Sequence, residues 1–216
     1  MASAPPPRGA AGAVTLQSVS PALILASASA SRQALLARAG LRFTVRPAAI
    51  DEAETKRAAQ AEGATAGEAA LLLAGMKARR IARTVPDALV IGSDQLLECD
   101  GRWFDKPPDL AAARTHLQAL RGRTHVLATA VVVQRGEQAL WQHVTMPRLA
   151  MRAFDDAFLD AYLAAEGEAL TTTVGAYRLE GRGVHLFAAV EGEHAAILGL
   201  PLLPLLGYLR QYGVLR

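Results

Sequence analysis

The chain of 216 residues contains a single cysteine, Cys99, which excludes an intrachain disulfide and, with no paired spacing, argues against a thiolate zinc site. Such a chain suits a reducing compartment and is expected in the cytoplasm, with Cys99 read as a small apolar residue of a strand. Aromatic residues make up only 5%, and the formal net charge of +3 comes from scattered arginines without a basic run. That excludes the basic, aromatic-studded stripe of a nucleic-acid binder. No apolar stretch reaches the ~18 residues of a membrane span, and the leucine-rich segment 197–209 is broken by Pro201 and Pro204. The histidines, at 116, 125, 143, 185 and 194, form no H-x-H or H-E-x-x-H pair, so no histidine metal site is expected.

Lysine is scarce too: Lys56, Lys77 and Lys106 stand among 23 Lys and Arg residues. Where arginine is the default cation, a lysine marks either chance or a place where a compact ammonium is wanted, as towards phosphate.

What is present is apolar: 51% hydrophobic residues support one substantial core. Residues 1–20, rich in Ala, Pro, Gly and Ser and without the apolar core of a signal peptide, predict a disordered tail ahead of a single domain at 21–216. A short apolar strand at 21–26 leads to Ser27-Ala28-Ser29-Ala30-Ser31-Arg32 and a helix over 33–39. An alternating strand at 41–45 precedes a loop carrying Asp51 and Glu52. Thr65 to Glu68 has the form of a capping box and opens a helix reaching 83. The apolar run 88–92 drives into Ser93-Asp94-Gln95, and Asp100-Gly101 sets a hairpin that returns to Asp105-Lys106-Pro107. Asp109 caps a helix over 110–120, strands at 124–134 and 139–151 pair around a turn, and Asp155 opens a helix over 156–165. A strand at 184–190 and a terminal helix after Pro201 complete an α/β or α+β pattern with a mixed, partly antiparallel sheet flanked by helices.

Several residues have two readings. An apolar strand ending in Asp94 must give that acid water, a metal or a partner. The serines before the first helix either cap it or, with Arg32 and the helix dipole, hold an anion. Asp51 and Glu52 are solvated loop acids or cation ligands. Lys77, beside an apolar stripe, snorkels to solvent or reaches a ligand.

Taken in order, Leu25 to Arg32 with Leu35-Leu36, Asp51-Glu52, Lys77, Gly92-Ser93-Asp94-Gln95, Lys106-Pro107, Gly122-Arg123-Thr124-His125, Glu180-Gly181 and Gly199-Leu200-Pro201 resemble the Maf family of nucleoside triphosphate pyrophosphatases, from about Leu23 to Tyr212. The resemblance implies a house-cleaning hydrolase that cuts a nucleoside triphosphate to monophosphate and pyrophosphate, with Mg or Mn, as a homodimer, in two lobes around a central cleft. It assigns Asp94 as proton acceptor, Ser27, Arg32, Lys77 and Lys106 to the triphosphate, and Glu52, Asp94 and, more weakly, Asp51 to the metal. Ser31, Gln95 and Glu180 match its base-selecting positions. Gln95 with Glu180 is similar to the subgroup acting on 7-methyl-GTP rather than the dTTP and UTP subgroup. Ala30 and Ser31 depart from the family pattern, which has proline and then Arg or Trp there.

Hydrolysis between the α and β phosphates needs a water at the α phosphorus, a group to take its proton and cations for the departing pyrophosphate. The competing expectation is a nucleotide-binding regulator of cell division without turnover. Asp94 and Glu52 separate the two, since acids beside a polyanion suit a binder only when a metal bridges them.

Overall fold

A computed structural model describes residues 16–216. Residues 1–15 of the expected tail lie outside the described residues. Within its remainder Gln17 is buried, its side-chain amide exchanging hydrogen bonds with the Arg42 backbone while its own backbone bridges to Leu215.

The first strand, β1 (Leu23–Leu25), is wholly buried and runs through the serine loop into α1 (Ala30–Arg38), β2 (Thr44–Val45), α2 (Glu52–Ala61) and α3 (Ala66–Ala82). The hairpin β3 (Leu89–Cys99) and β4 (Arg102–Phe104) follows, turning through Asp100 and Gly101, both at positive φ. Then come α4 (Leu110–Leu120), β5 (Thr124–Arg135), β6 (Gln138–Thr145), β7 (Arg148–Met151) and α5 (Asp156–Glu166). A stretch of short 3-10 turns leads to β8 (Phe187–Glu191), α6 (His194–Ile197) and α7 (Leu202–Gln211). All eight strands form one mixed sheet in the order β2-β1-β3-β5-β7-β8, with β4 beside β3 and β6 beside β5. Among the described residues no helix is long and apolar enough to cross a membrane.

The pairing of β3 makes the site possible. On one edge β5 accompanies it from Val90 to Glu98. On the other, β1 pairs only with Leu89 to Ile91, and β4 begins only at Leu97. Residues 92–96 therefore border a gap in the sheet, and the gap opens where β1 ends in the serine loop. Because strand side chains alternate, Gly92 and Asp94 face the same side as Val90 and Leu96, under α3, whereas Ser93 and Gln95 face the side of Ile91 and Leu97. Ala74 and Ala78 let α3 lie close on the sheet, while α1 and α7 cover Leu25, Ile91 and Val131 on the opposite face.

Several expectations change. The strand expected to stop at Asp94 continues to Cys99, because β5 supplies backbone partners through the polar residues. The segment expected as a loop at Asp51-Glu52 is the start of α2, with Asp51 capping it by accepting the Glu54 N–H at 2.9 Å. The strand expected over 139–151 is interrupted at Met146-Pro147, although both halves pair with the same edge of β5. The strand expected at 184–190 starts at Phe187, after a 3-10 turn.

Candidate active site

A cavity of about 780 Å³ lies at the gap in the sheet. The serine loop, the start of α2, β3 and the segment after β4 line one part of it, and residues 172–180 and 197–199 line the rest. Of the residues singled out from the sequence, Ser27, Ser31, Arg32, Glu52, Lys77, Asp94, Gln95, Lys106 and Glu180 all border this one cavity. Asp51 does not, and its carboxylate is engaged at the helix cap.

At the floor, Asp94 is buried and accepts a hydrogen bond from the buried ammonium of Lys77. The same ammonium lies 2.7 Å from Glu52 on α2. The close seat of α3 on β3 allows this: a Cβ on Gly92 would stand 2.2 Å from the Ala74 carbonyl oxygen, so only glycine permits the approach that brings Lys77 down to Asp94. Burial pushes the Glu52 carboxyl up, but the hydrogen bond and charge of Lys77, with Lys56 and Lys106 adding, hold it below the usual carboxylate range.

Arg32 enters from α1. Its Nε donates to the Gly199 carbonyl at 2.7 Å and its Nη1 to Ser27 Oγ at 3.1 Å, so Ser27 and Gly199 aim the guanidinium. Burial pulls its pKa down, opposed by the charges of Asp94 and Glu52. Ser29 accepts the Arg32 N–H and caps α1, so the capping reading of the serines holds for Ser29 while Ser27 serves Arg32.

On the other face of β3, the Nε2 of Gln95 reaches Thr129 Oγ1 at 2.8 Å and the carbonyls of Ala196 and Ile197 at 3.0 and 3.1 Å. Those carbonyls only accept, which fixes the amide so that Oε1 is the atom left for a ligand. Glu180, which borders the same cavity, lies 3.6 Å from Arg178. The wall segment leading to Glu180 turns through Gly175 and Ala176, both at positive φ, and carries Tyr177, whose hydroxyl meets His125 Nε2 at 2.7 Å.

Glu52 and Asp94 both meet the Lys77 ammonium through one carboxylate oxygen, and their carboxylates are of the donor type that suits Mg²⁺ or Mn²⁺. Among the described residues no group of three or more His, Cys, Asp and Glu side chains is placed to hold a metal. An ion held by this pair would take its remaining ligands from water and phosphate oxygens.

Three charged residues that border the cavity have no role assigned from the sequence: Lys56, one turn after Glu52, Asp105 and Arg178. Lys56 was hidden because α2 holds alanine as its main apolar residue and shows no clear periodicity. The signal available was Asp51 followed three residues later by Glu54, a helix-start pattern.

The family model described as "Maf-like protein" matches residues 22–212. A nucleoside triphosphate pyrophosphatase of Granulibacter bethesdensis is 55% identical over 89% of this chain and 98% of its own length. One of Rhodospirillum rubrum is 52% identical over 90% of this chain and 96% of its own. A 7-methyl-GTP pyrophosphatase of Rhizobium meliloti is 48% identical over 90% of this chain and 98% of its own. Matched from the serine loop to the terminal helix, and against relatives covered almost end to end, the chain belongs to the Maf-like family.

Proposed function

We propose that this protein hydrolyses a nucleoside triphosphate between its α and β phosphates, releasing a monophosphate and pyrophosphate. The observation that carries the reading is the buried Asp94, held by Lys77 and shared with Glu52, at the floor of a cavity that also presents Arg32 and Lys106. Asp94 orients the attacking water and takes its proton, Lys77 keeps that carboxylate aligned, and Arg32 and Lys106 receive the charge of the pyrophosphate. Glu52 and Asp94 would hold the Mg²⁺ or Mn²⁺, which when bound lowers the pKa of water and neutralises phosphate charge. A binder without turnover gains nothing from the buried acid at the floor.

Base choice falls to the opposite face. Gln95 Oε1 and Glu180 both accept hydrogen bonds, which suits the donor-rich edge of guanine, and the carboxylate favours the cationic ring of 7-methylguanine. The small Ser31 leaves room beside the base. The reading places the enzyme in the cytoplasm as a homodimer, in keeping with its single cysteine and with the family resemblance.

The test is product analysis with 7-methyl-GTP, GTP, UTP and dTTP in the presence of Mg²⁺ or Mn²⁺. Equimolar monophosphate and pyrophosphate support the reading; binding without products supports the regulator.

A further inference from the structure

The charges at the cavity floor cancel. Arg32 and Lys77 contribute two positive charges, Asp94 and Glu52 two negative ones. Beyond Arg32 and the divalent ion that the two acids would hold, the floor has no surplus positive charge for a triphosphate carrying several negative charges, so further cations are wanted at the rim. Lys106 is one. Others are Arg178, which pairs with Glu180, and Lys56, on the same face of α2 as Glu52 four residues earlier.

Lys56 is not free. Its ammonium donates to Asp105 Oδ1 at 2.6 Å, spanning from α2 to the segment after β4 across one side of the cavity. The lysine side chain is only 16% exposed and that of Asp105 is 71% exposed. An ion pair whose acid stands in water is weakly held. Phosphate oxygens arriving from the cavity side can replace that carboxylate without the ammonium having to leave its place.

We propose that Lys56 is a further polyphosphate-binding residue, kept aimed at the cavity mouth by Asp105 until the phosphates of the substrate take the place of Asp105. The inference rests on the hydrolytic reading for the identity of the substrate, but not for the binding of phosphate. Asp105 has two opposed effects in this arrangement: it orders Lys56, and it competes with the ligand for it. Because the ammonium is already confined by its surroundings, competition is the larger effect, and removing the acid favours the ligand.

The test uses inorganic tripolyphosphate with Mg²⁺, measured by calorimetry on the full chain, so that neither base recognition nor turnover enters. Lys56→Met should weaken binding about tenfold, the scale of a lost charge-assisted contact. Lys56→Arg should recover only part of this, since a planar fork replaces a point charge. Asp105→Asn should tighten binding, and this gain should shrink in the Lys56→Met background. Steady-state kinetics should show the Lys56→Met loss mainly in KM. Binding by Lys56→Met within twofold of the unaltered protein, or weaker binding by Asp105→Asn, overturns the proposal. A protein that binds tripolyphosphate through Lys56 but releases no pyrophosphate from any nucleotide upholds the proposal and contradicts the hydrolytic reading.

Discussion

Gly92 lies directly against Ala74, with a Cβ at position 92 placed 2.2 Å from the Ala74 carbonyl oxygen and 2.8 Å from the Ala78 nitrogen. The contact sets the height of α3 above the sheet, and Lys77 is carried on the turn that it fixes. Both obstructing atoms belong to the helix backbone, so a rotamer change cannot relieve them. Gly92→Ala should therefore destabilise the fold by about 3 kcal/mol, read as a lower midpoint in urea. It should also reduce catalysis in protein that remains folded, because Lys77 would be lifted from Asp94.

Lys77 joins two carboxylates, and its removal leaves the buried Asp94 without its cation. Lys77→Met should cost about 3 kcal/mol of stability near neutral pH, the penalty of an uncompensated buried charge. The carboxyl of Glu52 loses the interaction that holds it low, so its titration followed by NMR should move upward in this variant. An unchanged Glu52 titration would contradict the shared-ammonium arrangement.

Asp94 and Gln95 are neighbours in sequence yet face opposite sides of the sheet, and the proposed reading gives them different parts of the substrate, phosphates to Asp94 and base to Gln95 with Glu180. Glu180→Gln should accordingly lower kcat/KM for 7-methyl-GTP by about fivefold relative to GTP, UTP and dTTP, since the charge is lost while hydrogen bonding survives. The lysine and aspartate positions should barely alter that ranking. Equal losses for all four nucleotides would contradict the division.

His125 is fully buried beneath the Tyr177 wall, with Nδ1 unpartnered, and burial lowers its pKa from 6.5 to about 4. Between these values the unfolded chain binds the proton and the folded chain does not, so the histidine stabilises the fold fully above about pH 6.5 and progressively less as pH falls towards about 4. The loss is about 3 kcal/mol over that window. Urea midpoints measured from pH 4 to 7 should fall less steeply on the acid side in His125→Gln than in the unaltered protein.

Much of this was legible in the residues, for reasons that differ by element. The hairpin at Asp100-Gly101, the caps at Thr65, Asp109 and Asp155 and the mixed sheet follow from local chemistry: turn residues with positive φ, and side-chain acceptors at helix starts. Lys77 and Asp94 stood out because lysine is rare in the chain and because Asp94 interrupts an apolar run, whereas the family resemblance chose between the two readings of Ser27, Arg32 and Glu52 and alone marked Gln95 and Glu180. The continuation of β3 past Asp94 was not legible, since it depends on β5, a partner more than 25 residues away in the chain. Likewise α2 has little apolar periodicity and is held by packing of Ala59 against α3. Without α2, Lys56 has no position, and the competition for it by Asp105 cannot be read from their separation in sequence.

The central claim is that Asp94 at the floor of the cavity turns the bound water on the α phosphorus. The most direct measurement is pyrophosphate release from 7-methyl-GTP or GTP with Mg²⁺ by Asp94→Asn, beside tripolyphosphate binding by the same variant. Turnover reduced at least about a thousandfold with binding retained is the predicted result. Turnover within tenfold of the unaltered protein contradicts it.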